Sequence, residues 1–277
     1  GGGGGVGARW GSASGGGGRR GRRAAPPTAA PTARVSAPGL GLIFPCAALA
    51  LVAATVVALA IPERVAPRHA RSRRGEWRQL VADPSVARAR VFTFLIFLGI
   101  QGPMHLFPLL ARSHGGGIAA IAQMWFWMLL LEIPLVLALG RTIARIGPRS
   151  VVSIGAAAAA VRWLVSGYTD DLTLLTVIQV LHGVTVWGLM LGLAVYVDSL
   201  VPAQLRSTGQ GMLAMVGPAL GGAVSNLLAG ELIDRWGAAA PARAGGWLAL
   251  ACALLVPILL VRVPSGRADA AGVDHRA

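Results

Sequence analysis

Three residues that can carry charge stand inside long apolar stretches of the sequence. Glu132 lies in MLLLEIPLVLALG, Arg162 in AAAAAVRWLVSGY and His182 in VIQVLHGVTVWG. A charge at the centre of a bilayer costs about 2.5–3.5 kcal/mol on insertion scales, so such residues usually face a cavity or one another. A carboxyl group in a low-dielectric environment favours its protonated form, whereas an arginine keeps its charge and requires an anionic partner. These residues predict a carboxyl group that binds and releases a proton, with His182 as hydrogen-bond partner or proton relay.

A second set of side chains is polar or amphipathic and lies in the same apolar stretches. It comprises Gln101, His105, Gln123, Trp127, Gln179, Gln210 and Asn226. Residues three or four positions apart share a helix face, which pairs Gln101 with His105, Gln123 with Trp127 and Gln179 with His182. We expect these residues to line a polar cavity for a substrate. An alternative remains open, in which Glu132 and Arg162 form a static ion pair and the other polar groups only join helices by hydrogen bonds.

The elements that must position these residues are apolar runs of membrane-spanning length. Seven such runs lie at 43–61, 91–111, 117–139, 150–168, 172–198, 209–230 and 245–262. A helix needs about 20 apolar residues to cross the hydrocarbon core, and backbone groups in lipid must be paired internally. Only 13% of the residues are charged and the mean hydropathy is +0.64, whereas soluble proteins carry about 25% charged residues. The fold predicted is an all-α integral membrane protein.

The arginines predict the orientation of this bundle. The linker 62–90 alone carries eight arginines. Taken alternately, the loops on the side of this linker hold fifteen arginines in all, and those on the other side hold three. The positive-inside rule therefore places the linker and the C-terminus in the cytoplasm. We expect a multi-pass protein of the cytoplasmic (inner) membrane.

The glycines and the chain ends give further expectations. The patterns Gly188-x-x-x-Gly192 and Gly217-x-x-x-Gly221 predict close helix contacts. GGGGRRGRR near the N-terminus is typical of a disordered tail, and because aromatic residues are almost absent there, no nucleic-acid partner is expected. We expect residues before about 40 not to be the natural start of the protein. The predicted organisation is a tail at 1–42, a helix at 43–61, a basic cytoplasmic linker at 62–90, a six-helix bundle at 91–262 and a cytoplasmic tail at 263–277.

The sequence lacks the patterns of the common catalytic and metal sites. Cys46 and Cys252 lie singly in apolar runs, which indicates neither a disulfide framework nor a metal site. No nucleophile elbow, P-loop or HExxH pattern occurs, so neither an enzyme nor a cofactor is expected. His114 lies in a glycine-rich loop and is interpreted as a solvated side chain.

One segment carries a family resemblance. Residues 179–213 contain Gln-x-Leu-His-Gly, with Gln179 and His182, followed by Pro-x-x-x-Arg-x-Thr-Gly-Gln from Pro202 to Gln210. This order resembles one branch of the major facilitator superfamily, which includes phenylpropionic acid permease-like and nucleoside/proton symporter-like proteins and is more distantly related to lactose permease. Glu-Ile-Pro at 132–134 and Arg162-Trp163 are similar to features of its eighth and ninth helices.

The resemblance implies a fold and a function. It makes 43–61 the sixth helix and 91–262 the seventh to twelfth, which is the C-terminal half of the family's fold. Glu132, Arg162 and His182 resemble the membrane residues that serve proton coupling and substrate binding in lactose permease-like proteins. The implied function is proton-coupled transport of a small organic solute, with a missing N-terminal half as partner. The competing reading is a degenerate or structural membrane protein without transport activity.

Two loops qualify the resemblance. The loop GRTIARIGPR has Ala144 at the position where the family pattern is acidic, so the charged gating contact expected there lacks its carboxylate. The segment GELIDRWG at 230–237 matches that pattern better, but it lies on the side assigned to the exterior. We interpret it as an echo of an internal repeat.

Overall fold

The computed structural model describes residues 40–60 and 76–262. Helix α1, Leu40–Ala60, belongs to a separate unit that ends at Val65. Its described side chains, from Pro45 onward, are exposed. The sequence-based assignments of a tail before residue 40, of a linker over 61–75 and of a tail after residue 262 lie outside the described residues.

The second unit contains the bundle, and the described ranges 40–60 and 76–262 hold helices and no strand. Six of its helical stretches are long and apolar enough to cross a membrane, which confirms the predicted all-α membrane fold. The helices are α2 (Glu76–Ala82), α3 (Pro84–His105), α4 (Phe107–Ser113), α5 (Ile118–Ile146), α6 (Pro148–Tyr168), α7 (Leu172–Ile178), α8 (Leu181–Thr185), α9 (Leu193–Leu200), α10 (Arg206–Ala214), α11 (Gly222–Trp236) and α12 (Ala240–Leu259), with a 3₁₀ turn at Ala203–Leu205.

Helix α3 begins inside the stretch that the sequence assigns to the linker. The Asp83 carboxylate accepts hydrogen bonds from the backbone N–H groups of Ser85, at 2.7 Å, and Val86. Pro84 occupies the first helical position, where its missing N–H costs nothing. This cap starts the helix among charged residues, ahead of the apolar run at 91 that the hydropathy pattern detects.

Two spans contain a wider, π-helical turn, at Val186–Gly192 and at Met215–Gly221. Both turns hold the glycine pairs predicted to make close contacts, and the structure confirms this. A Cβ on Gly155 of α6 would lie 2.6 Å from the Cα of Gly188, and one on Gly217 would lie 2.6 Å from Thr93 of α3. Backbone therefore packs on backbone or side chain without an intervening Cβ.

Helix α6 occupies the interior of the second unit, where α12 and the span from α8 to α9 pack against it. Its inward face consists largely of small residues, and Ala156, Ala159 and Ala160 are fully or almost fully buried. Small side chains let the neighbouring helices approach closely. The one large polar residue on this face is therefore enclosed on all sides.

Candidate functional site

That enclosed residue is Arg162, whose side chain is 1% exposed. Its Nε donates a hydrogen bond to Oε1 of Gln179 at 2.8 Å, and Nη1 donates to Nδ1 of His182 at 3.0 Å. Both partners come from the span that follows α6. Since a guanidinium only donates, Nδ1 of His182 must accept, and the ring carries its proton on Nε2. We call Arg162, Gln179 and His182 the arginine cluster.

The Gln179 amide group holds the Arg162 guanidinium in place. It is fully buried, and its Nε2 donates to Oγ of Ser166 at 3.1 Å and to the Leu175 carbonyl at 2.9 Å. Its Oε1 is taken by Arg162. Both ends of the amide are thus engaged within the protein, and the predicted place of Gln179 in a substrate cavity stays a prediction.

The other side of the guanidinium meets soft, polarizable groups. Nη2 lies 3.3 Å from Sδ of Met104 and 3.7 Å from Sδ of Met128. The guanidinium carbon stands 4.3 Å from the centroid of the Trp163 ring, which in turn packs edge-on against Phe107. Thioethers and aromatic faces interact favourably with a cation. Arg162 therefore touches groups from four spans and is bound by neutral ones.

The ion pair between Glu132 and Arg162 considered from the sequence is not formed. In the described part of the chain, no carboxylate lies within 4.0 Å of the Arg162 guanidinium, and the Glu132 carboxyl group makes no hydrogen bond or ion pair. Glu132 is half-buried in a shallow apolar concavity with Leu129, Ile133, Val136 and Leu137. The physical reason is that neutral groups already occupy the arginine, while α5 turns this carboxyl group toward its open face.

Glu132 nevertheless lies close to the arginine cluster through its backbone. A Cβ on Gly183 would be 3.0 Å from the backbone nitrogen of Glu132. Gly183 directly follows His182, so α5 and α8 cross in contact at this point. The backbone of Glu132 is therefore adjacent to the segment that carries His182.

The remaining candidates on α3 and α11 lie near one helix crossing. Nδ1 of His105 is 3.0 Å from Oδ1 of Asn226. Since the amide oxygen only accepts, Nδ1 of His105 carries a proton. His105 is exposed, Asn226 is half-buried and half-buried Gln101 packs its side chain against Gly222. The i, i+4 pairing of Gln101 with His105 therefore faces α11.

Gln123, Trp127 and Gln210 occupy different surroundings. Gln123 is exposed on α5, and Trp127 is 40% exposed and packs edge-on against Phe126. Gln210 donates to the Ala194 carbonyl at 2.8 Å and to the Asp198 carboxylate at 2.7 Å, so it ties α10 to α9. No hydrogen bond among the described residues joins these three to the arginine cluster.

Sequence reasoning missed several partners of the candidate residues. Ser166 stands four residues after Arg162, and this spacing could have indicated a shared helix face. Asp198 could have been found as the carboxylate nearest the Thr-Gly-Gln motif. Met104 and Met128 gave no polar signal and are recognised only from the helix packing. In the described ranges no three His, Cys, Asp or Glu side chains form a group that could hold a metal ion.

Relatives of known name support the assignment made from the motifs. The chain is 29% identical over 196 residues to a maltose permease of Geobacillus stearothermophilus, covering 70% of this chain and 50% of the relative. It is 24% identical over 193 residues to the uncharacterized transporter YwbF of Bacillus subtilis strain 168, covering 69% of this chain and 47% of the relative. The chain spans about half the length of the curated relatives it matches.

The family itself follows from a longer match. Residues 32–242 fit the sequence pattern of the MFS_1 like family, which agrees with the major facilitator resemblance and with the six membrane-length helices. The branch within the superfamily stays a prediction. Because the matched range covers more than half of the chain, this multi-pass membrane protein belongs to the MFS_1 like family.

Proposed function

We propose that the chain is the C-terminal half of a proton-coupled secondary transporter that moves a small organic solute across the cytoplasmic membrane. The family and the names of the relatives, a permease and a transporter, support transport in general. The proposal of proton coupling rests on the contacts made by two ionisable residues. Arg162 is buried among neutral groups, and Glu132 on the adjoining helix has no partner among the described residues.

A buried cation without an anion is costly, because the lost hydration is not recovered by neutral hydrogen bonds alone. An unpaired carboxyl group in apolar surroundings favours its protonated form. We propose a two-state cycle. In one state Glu132 holds a proton, and Arg162 is held by Gln179 and His182 as it is here. In the other state, Glu132 approaches Arg162, releases its proton and pairs with the arginine.

His182 connects this switch to a substrate. Its Nδ1 accepts from Arg162, so its Nε2–H is available as a donor to a solute. When Arg162 turns toward Glu132, the Nδ1 bond is lost and the imidazole can reorient. Proton release by Glu132 and solute binding at His182 are thereby coupled through the same guanidinium.

The polar residues on the outer faces of α3, α5 and α11 supply the rest of a solute site. His105, Gln123, Trp127 and Asn226 are exposed or half-buried in the second unit. Amides, an imidazole and an indole suit a neutral solute with hydroxyl groups, because they donate, accept and stack. We propose that an N-terminal half of the transporter covers this surface, and that sugars, as suggested by the maltose permease, are the first solutes to test.

The test uses a full-length protein with both six-helix halves, reconstituted in vesicles. Glu132→Gln cannot bind or release a proton, so we expect uptake driven by a pH gradient to be abolished while exchange of labelled solute between the two sides continues. Glu231→Gln is the matched control, because Glu231 is an exposed carboxylate paired with Arg235 on the same helix. Its uptake should equal that of the wild type.

Uptake by Glu132→Gln that is unchanged at every pH would overturn the role of Glu132 in proton coupling. Loss of both uptake and exchange would assign Glu132 to solute binding instead. A wild-type full-length protein that moves none of a panel of sugars and organic acids would favour the structural alternative.

A further inference from the structure

His114 joins the ends of two helices on the face that carries few arginines. It follows the last residue of α4 as its C-terminal cap, and it is half-buried rather than solvated as the sequence suggested. Its Nδ1 lies 2.7 Å from the carbonyl oxygen of Leu110, in the last turn of α4. Its Nε2 lies 2.8 Å from the carbonyl oxygen of Thr169, which ends α6. The ring thus spans two segments far apart in sequence.

Both of these oxygens can only accept hydrogen bonds. A neutral imidazole has one N–H and one lone pair, so it would aim the lone pair at one of the two carbonyl oxygens. Oγ of Ser113 is 3.3 Å from Nδ1, but it donates its own hydrogen to the Leu110 carbonyl at 2.7 Å. Only the doubly protonated ring, the imidazolium, satisfies both contacts.

The position of the two carbonyl groups also favours the imidazolium form of His114. Both lie at helix C-termini, where unpaired carbonyl groups create a partial negative charge that stabilises a cation. The charged groups around the ring from neighbouring segments are Asp170 after α6, Asp171 at the start of α7 and Arg243 of α12, with Arg112 on α4 itself. Asp170 and Arg243 line the same open polar cavity as His114, and Asp171 caps α7. No described contact joins any of these four to the ring.

We infer that His114 is a proton-operated clasp that ties the end of α4 to the end of α6. Imidazole side chains exchange their proton within about pH 5–8. On the acidic side of that range the clasp makes both bonds. As the pH rises, deprotonation removes one of the two, and the loops at 114–117 and 169–171 separate more readily. The pairing depends on contacts within the second unit and not on transport.

The protonation state can be observed directly in the wild-type chain. We would label histidine with ¹⁵N, place the chain in detergent micelles and record the imidazole signals between about pH 5 and 8. The chain has five histidines, so His→Gln variants at the other four positions assign the His114 signal by elimination. At the acidic end both His114 nitrogens should resonate as N–H. A ring that is a single neutral tautomer at about pH 5.5 would overturn the proposal.

The mechanical effect is tested by amide hydrogen exchange. After correction for the intrinsic pH dependence, exchange in segments 113–118 and 169–172 should be roughly tenfold slower at about pH 5.5 than at about pH 8, because one charge-assisted hydrogen bond is gained. His114→Gln should abolish this difference. His105→Gln is the matched control, since His105 has one ring-nitrogen contact, to a side chain of α11. The same pH dependence in His114→Gln as in the wild type would contradict the clasp, and the wild-type spectra decide the matter if that variant does not fold.

Discussion

Helices α5 and α6 are consecutive apolar spans with opposite environments. Only 11% of the apolar stretch of α5 is buried, compared with 61% of that of α6. Helix α6 presents small residues that let its neighbours close around it, whereas α5 presents large ones, such as Phe126, Leu137 and Ile133, that remain exposed. The enclosed helix holds its charged residue in a fixed network, and the open one leaves its carboxyl group unpaired. The difference between the two residues therefore follows the burial of the helices that carry them: only the ionisable residue on the buried helix is held by hydrogen bonds.

The largest effect is expected from a substitution that pushes α6 away from the span that packs against it. Gly188→Ala places a Cβ against the backbone of Gly155, and neither helix can yield without losing its own packing. We expect the free energy of unfolding to fall by about 1–3 kcal/mol, seen as a lower midpoint of thermal unfolding in detergent. Gly230→Ala is the control, because a Cβ there meets nothing within 4 Å.

Gly230→Ala should leave the midpoint unchanged or raise it slightly, since alanine stabilises a helix interior by about 0.5–1 kcal/mol relative to glycine. Equal midpoints for Gly188→Ala and the wild type would show that α6 is not enclosed as described. The comparison with α5 would then lose its basis.

A smaller effect is expected from Arg162→Lys. The ammonium group keeps the charge but cannot reach Gln179, His182 and the Trp163 ring in the planar geometry of a guanidinium. Losing one hydrogen bond of a buried charged group costs about 1.5–3 kcal/mol, but the lysine keeps the charge and recovers one partner, so we expect a net loss of about 1 kcal/mol. Arg235→Lys is the matched control on an exposed ion pair.

The readout is again the midpoint of thermal unfolding in detergent. If neither Arg162→Lys nor Arg235→Lys lowers the unfolding midpoint, the neutral groups around Arg162 do not stabilise the fold through the guanidinium geometry. A lower unfolding midpoint for Arg162→Lys, with no change for Arg235→Lys, would show that the hydrogen bonds of the buried arginine stabilise the fold.

The smallest effect is expected from Glu132→Gln. The carboxyl group makes no hydrogen bond or ion pair with a described residue, so replacing it by an amide removes no contact. The unfolding midpoint should match that of the wild type within experimental error. A clear drop would reveal that Glu132 is held as firmly as Arg162, which would erase the difference between the two helices.

Sequence patterns predicted the spans and part of the arginine cluster. Run length revealed the six helices, and the i, i+3 spacing of Gln179 and His182 placed both on one face, where Arg162 meets them. The state of Glu132 was open from the sequence, because α5 is apolar on all sides and its pattern does not fix which way the helix is rotated. The sulfur contacts were equally hidden, since a methionine beside a cation looks like any other core residue.

Ser225 of α11 supplies hydrogen bonds to two backbone groups inside helix α3. Its hydroxyl accepts from the N–H of Gly102 at 2.7 Å and donates to the carbonyl of Leu98 at 2.6 Å, the two groups that an α-helix pairs with each other. Pro103, the next residue, has no N–H to donate to the carbonyl of Gly99, its α-helical partner. Bending α3 at this point leaves neither group stranded, because α11 already supplies a substitute for both. One hydroxyl group of another helix thus pairs both backbone groups at the place where α3 has the least hydrogen bonding of its own.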